Sequence, residues 1–301
     1  MRMYPSKKPR FLVLLLILFC GSFNAFSNIA QEIPFQLLPS GHLLVTAKVN
    51  GIEGKFIFDT GAGLNLFTKK FLDKVPGVVQ EDGGFTGFRA TGERLDVNLV
   101  KVSNFELGIY KQAILEASFL DVDLSGFDGI LSLKLFETQP FTIDFDKTVI
   151  RLENTATVNA LKKGGSIIPL QIEQNRDKAL DIFAYFKVND ALTLQFSLDS
   201  GAGRDVYRIN SKYAQKLGID LNDTIAVKRY SKKSEFNEGF ASYIYVTTIN
   251  KIAAAASPSV SVSNLKAQLI DGLIYDGIIW INWLGKKITI DLPGKQLIVH
   301  Q

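Results

Sequence analysis

An all-β chain of two homologous lobes, with one or two short helices per lobe, is the architecture the sequence predicts, on three observations. Phe56-Ile57-Phe58-Asp59-Thr60-Gly61-Ala62-Gly63 is echoed by Phe196-Ser197-Leu198-Asp199-Ser200-Gly201-Ala202-Gly203, an apolar strand and then Asp-Thr/Ser-Gly-Ala-Gly. Two more landmarks repeat in the same order. Phe127-Asp128-Gly129-Ile130-Leu131 matches Tyr275-Asp276-Gly277-Ile278-Ile279, and Phe141-Thr142-Ile143-Asp144-Phe145 matches Ile288-Thr289-Ile290-Asp291-Leu292. Throughout, Val, Ile, Phe and Leu alternate with polar residues over short segments bounded by Gly, Asn and Asp, which is the strand period.

At the N-terminus, residues 1–10 carry Arg2, Lys7, Lys8 and Arg10 and no acidic residue, and residues 11–23 form an apolar run short of a membrane span. Ala25-Phe26-Ser27 places small residues where a signal peptidase reads, so residues 1–27 are expected to be a secretory signal peptide cleaved after Ser27. The alternatives are an uncleaved anchor and lipid attachment at Cys20, where the preceding Phe19 is bulkier than a lipoprotein signal favours. The expected location is exported: periplasm, cell envelope or extracellular space of a bacterium, with membrane contact only through the leader or a lipid.

The leader's four basic residues account for the whole formal charge of +4. The mature chain is therefore balanced and offers no basic surface to nucleic acid. Cys20 is the only cysteine, so the mature chain has no disulfide, thiol nucleophile or thiolate site, which suits a bacterial envelope. His42 and His300 have no motif around them and read as ordinary strand and terminal residues. No metal or other cofactor is expected.

The first lobe is assigned to residues 28–155 and the second to residues 156–301, joined by a polar linker over 153–165. In each lobe an alternating strand, 43–49 or 182–188, should turn at 51–54 or 190–193 into the strand that carries the Asp. A short helix is expected after each Asp motif, at 69–74 and at 211–217, the latter capped by Asn210 and stopped by Gly218. The second lobe is longer, and residues 253–263, rich in Ala, Ser and Pro, are the expected site of its extra loop.

In the repeated motif the Asp stands where the chain leaves the sheet. The following Gly61 or Gly201 lets the backbone turn so that its N–H points at the carboxylate. The Thr60 and Ser200 hydroxyls are placed to bond backbone across a lobe interface, and Ala62 and Ala202 keep the turns compact. A duplicated lobe would bring Asp59 and Asp199 face to face, and two carboxylates sharing one proton can activate water.

On these motifs the chain resembles the aspartic proteases of the retropepsin-like and pepsin-like superfamily, in particular the bacterial exported type with both lobes in one chain, from about residue 33 to residue 300. The resemblance implies a closed β-barrel-like unit in each lobe and a peptide or protein substrate. It implies an Asp59/Asp199 dyad in which one carboxylate takes a proton from water while the other, protonated, bonds the scissile carbonyl and protonates the leaving nitrogen. Thr60 and Ser200 would form a cross-lobe lock, and Gly61 and Gly201 would supply N–H groups. A flap would be the hairpin 84–95, turning around Ala90, Thr91, Gly92 and Glu93.

The sequence departs from the family pattern at two places. Ser132 and Trp280 stand where the second landmark carries Gly, and Trp280 brings a large ring towards Asp199. This favours an alternative, a protease-fold module that binds a peptide or protein without cutting. The segment 229–241 reads as a polar loop. Arg204 is expected either to pair with Asp205 or another surface acid, or to face the cleft. The opening strand begins near Ile33, so no propeptide is expected. No Lys-Ser or Lys-Thr follows either Gly-Ala-Gly turn, which argues against nucleotide binding.

Overall fold

The computed structural model describes Met1 and residues 32–234 and 239–301. Beyond Met1, the expected signal peptide and Cys20 lie outside the described residues. The rest is two eight-stranded barrel-like sheets and a six-stranded sheet made from both halves.

The first barrel orders its strands Gln36–Leu37, Leu43–Val49, Ile52–Asp59, Gly129–Ser132, Leu66–Thr68, Tyr110–Leu120, Arg94–Leu107 and Val79–Phe88. The second orders Gln171–Asn175, Ala179–Val188, Leu192–Leu198, Gly277–Ile279, Tyr207–Asn210, Ser261–Ile270, Ala241–Ala254 and Lys228–Lys233. Position for position the two match, down to the parallel pairing of each Asp-bearing strand with the Asp-Gly landmark. Those landmark glycines are forced by close approach. A Cβ on Gly129 would collide with Leu66 O, and one on Gly277 with the Phe196 ring. The preceding Asp128 also works locally: its carboxylate accepts the Lys55 N–H at 2.8 Å, fixing the start of the parallel pair.

Both Asp strands follow hairpins tighter than the sequence suggested. The first turns at Asn50 and Gly51, both with positive φ, which matches the twist of the flanking strands. The second turns through Asn189, Asp190 and Ala191, and its strand starts at Leu192.

The third sheet runs Glu32–Pro34, Val149–Leu152, Phe141–Asp144, Lys287–Asp291, Gln296–His300 and Ser166–Pro169, so each half supplies three strands in mirrored order. At its centre Thr142 pairs with Thr289, and their hydroxyls meet at 2.7 Å on the pseudo-two-fold axis. A single apolar core runs through both barrels and this sheet. Phe58, Phe136 and Phe141 stack within it directly behind the strand that carries Asp59. Burying each such ring is worth about 2–3 kcal/mol, which helps offset the cost of desolvating a carboxyl at the strand end.

Three expectations need correction. The linker over 153–165 contains the helix Thr155–Lys162. Its signal was missed because only Val158 is buried; a capping box between Asn154 and Thr157 starts it. The segment 229–241 is not a loop in its first part: Lys228–Lys233 pairs with Ala241–Ala254 as an edge strand. All six of its residues are exposed, so no apolar alternation marks it, and backbone pairing alone makes it a strand. The helix expected at 211–217 is a pair of 3-10 turns, Ser211–Tyr213 and Gln215–Leu217. Only Ala214 in this stretch is buried, so little packing favours a continuous α-helix over single turns, whereas Lys69–Leu72 buries Phe71 and Leu72. Its cap Asn210 and its stop Gly218, at φ 72°, stand as expected. In the first lobe Lys69–Leu72 is a short α-helix capped by Thr68.

Candidate active site

Asp59 ends its strand and Asp199 follows directly on its own. Each carboxyl lies against the glycine of the opposite motif. A Cβ on Gly61 would fall 2.5 Å from Asp199 Cγ, and one on Gly201 would fall 2.6 Å from Asp59 Oδ1. No residue but glycine fits at either position, and the two carboxyls are within hydrogen-bonding reach of each other.

Four hydrogen bonds lock the motifs together. The Thr60 hydroxyl donates to Leu198 O (2.7 Å) and accepts from Ser200 N–H (2.9 Å). The Ser200 hydroxyl donates to Phe58 O (3.0 Å) and accepts from Thr60 N–H (3.0 Å). Both residues are sealed, at 1% and 0% exposure, so the lock works free of competition from solvent. Ala62 and Ala202 sit in the turns beyond; Ala202 packs on a small apolar cluster of Ile270, Leu273 and Ile278.

The two carboxyls are not equivalent. Asp59 Oδ1 accepts the Gly61 N–H at 2.8 Å, whereas Asp199 Oδ1 is buried with no donor among the described residues. Burial raises Asp59 above the ordinary range, opposed by the Gly61 N–H, by Asp199 and by the nearby His42. Burial raises Asp199 further, and the charge of Asp59 adds to it. Both carboxyls are raised, so the pair holds a proton where a lone carboxyl would be ionised, and the Gly61 N–H on Asp59 against the donorless Asp199 Oδ1 sets the two apart.

Two flanking residues escaped the sequence reading. His42 Nε2 donates to Gly201 O (3.0 Å), and its Nδ1 meets the Ser40 hydroxyl (2.8 Å). His42 thus leans on the second lobe's Asp loop and is no ordinary strand residue. Asp181 occupies the matching position in the second lobe and leans on the first lobe's loop, 3.3 Å from where Gly63 would carry a Cβ. Burial pushes Asp181 up to about 6, with the charges of Glu173 and Asp59 adding to it. One signal was available: both residues directly precede the matched alternating segments 43–49 and 182–188.

Trp280 does not enter the dyad. Its ring is buried against the Gly41 turn, and its indole N–H donates to Gly41 O at 3.3 Å. Ser132 is equally benign: Asn65, another residue not foreseen, accepts its N–H at 2.9 Å, and its hydroxyl caps the next turn. Arg204 neither pairs with Asp205 nor faces the dyad. It is exposed with no carboxylate partner among the described residues, and its N–H donates to Ser40 O (2.7 Å). The arginine that lies near Asp199 is Arg208.

The hairpin of Val79–Phe88 and Arg94–Leu107 carries Ala90, Thr91 and Gly92 at its tip, across the cleft from its own lobe. Ala90 O accepts the Ile274 N–H (2.9 Å), and a Cβ on Gly92 would come within 3.1 Å of Gly272 O. Glu93, only 3% exposed, pairs with Arg89 at 3.2 Å and accepts the Ser234 hydroxyl of the second lobe. The tip is thus fastened to the second lobe. Surface cavities of about 400 and 510 Å³ lie elsewhere, near Trp283 and beside the Ser211–Tyr213 turn.

No curated protein matches the sequence. The aspartyl protease family profile matches residues 45–135. The crystal structure of basic 7S globulin from soybean superposes with a TM-score of 0.50 at 10% identity, covering 89% of this chain and 93% of that one, which shows a shared fold. The crystal structure of edgp superposes with a TM-score of 0.43 at 10% identity, over 89% and 94% of the two chains. The first lobe matches the aspartyl protease family over residues 45–135, and the second lobe repeats its architecture strand for strand.

Proposed function

We propose that the protein is an exported aspartic endopeptidase that hydrolyses peptide bonds with water activated by Asp59 and Asp199. The observation that carries this reading is the meeting of two half-buried carboxyls, both raised by desolvation, across a reciprocal hydroxyl lock. Asp59, ionised, takes a proton from water as the oxygen attacks the scissile carbonyl carbon. Asp199, protonated, donates a hydrogen bond to the carbonyl oxygen and steadies the charge that develops there. As the tetrahedral intermediate collapses, the C–N bond breaks and Asp199 passes its proton to the leaving nitrogen. Asp59 then holds the proton from water, and its transfer to Asp199 restores the pair.

Asp59→Asn and Asp199→Asn should each lower peptide cleavage by roughly a thousandfold or more while the circular dichroism spectrum stays unchanged. Cleavage that survives in both variants would end the proposal. The second reading, a module that grips without cutting, is favoured by the fastened flap. It predicts peptide binding by the wild type with no new termini. Export rests on the leader over 1–27, and N-terminal sequencing of secreted protein should begin at residue 28 with no propeptide removed.

A further inference from the structure

Arg208 lies on the strand Tyr207–Asn210, directly opposite Ile278 on one side and Gln268 on the other. Residues opposite each other across a ladder share a face. Ile278 belongs to the apolar cluster on which the flap residue Ala90 and the Asp-loop residue Ala202 both pack. Arg208 therefore stands on the cleft wall between dyad and flap, within range of the charges of Asp199 and of the flap's Arg89. Its one hydrogen bond is a long one, from Nε to Gln268 Oε1 at 3.4 Å, and no carboxylate pairs with it among the described residues. Burial pushes this guanidinium below the ordinary arginine range. A partly desolvated cation with its η nitrogens uncommitted is expensive to keep. The first lobe avoids it: the matching position, opposite Ile130, holds Leu66.

We propose that Arg208 determines specificity by binding the carboxylate of an acidic substrate side chain close to the scissile bond. The guanidinium fork suits a carboxylate in bidentate geometry. The inference rests on the dyad being a peptide-cleaving site.

The test uses full-length mature protein and matched peptides carrying Glu, Gln or Leu at each position flanking the cleavage site, with the C-terminus free or amidated. The wild type should favour Glu over Gln at one position by about 10- to 100-fold in kcat/KM, whatever the state of the C-terminus. Arg208→Leu should bring that ratio close to 1 while leaving cleavage of the Gln peptide within a few-fold, and Arg208→Lys should restore part of it. Preference that follows the free C-terminus would show that Arg208 reads a terminal carboxylate and would overturn the side-chain assignment. No Glu preference at any position, or equal loss on Glu and Gln peptides in Arg208→Leu, would overturn it too. Peptide binding to Asp59→Asn, followed by fluorescence anisotropy, separates the two claims. Glu-selective binding with no hydrolysis by the wild type keeps the subsite and sinks the protease reading; hydrolysis without Glu selectivity does the reverse.

Discussion

The two lobes share one frame and fill it differently. The lock is close to symmetric, with Thr60 and Ser200 each giving and receiving the same bonds. Around it the symmetry lapses: His42 is matched by Asp181, Leu66 by Arg208, and Ser132 by Trp280. The division has a physical logic. A lock between lobes needs equal partners, because each hydroxyl satisfies a backbone group that the other lobe leaves open. Two close carboxyls hold one proton between them even in identical surroundings, because both cannot ionise at that distance, so the flanking residues are free to diverge. Duplication supplies the lock, and divergence of the flanking residues supplies the difference between the two carboxyls.

The hardest blow to this comparison is to the lock. Ser200→Ala strips a partner from the buried Phe58 O and Thr60 N–H together, and should cost about 2–4 kcal/mol in denaturant unfolding. Thr60→Val should cost a similar amount, since its hydroxyl serves the mirrored groups. Markedly unequal losses would show that the two halves of the lock are not energetically matched.

Asp181 tests the asymmetric shell. Its carboxyl titrates near 3.8 when free and at about 6 in the fold, so the folded state holds the proton more tightly. Its contribution is complete below pH 3.8 and is lost as pH rises through 6. Asp181→Asn should therefore stabilise the protein at pH 7 by on the order of 1–3 kcal/mol and do little at pH 3.5. A gain of the same size at both pH values would mean that charge burial is not the cause.

A smaller effect is expected in the pH–rate profile. Both dyad carboxyls are raised by burial, and Ala62 and Ala202 bring no hydroxyl donors to lower them, so activity should extend into weakly acidic or neutral solution. Activity confined below about pH 4 would contradict this. His42→Leu removes a group that holds Asp59 down and should move the acidic limb upward by a fraction of a pH unit. The smallest change concerns the flap. Glu93→Gln loosens the tie to Ser234 and should raise kcat/KM a few-fold on long peptides, if lifting the hairpin limits substrate entry.

What could be read from the chain is what short segments specify by themselves. The duplicated Asp turns, their glycines, the Asn210 cap and the strand alternation each lie within a few residues, and local sterics and periodicity express them directly. An edge strand such as Lys228–Lys233 has no buried face and left no such trace. The sequence by itself determined that two lobes exist, which carboxyls belong to them and which hydroxyls join them. Only the tertiary structure decided that the halves weave a common third sheet, that the Trp280 ring packs on the Gly41 turn, and that burial raises both dyad carboxyls. Those outcomes depend on which groups from distant parts of the chain are desolvated together, and burial is a property of the assembled fold, not of any segment.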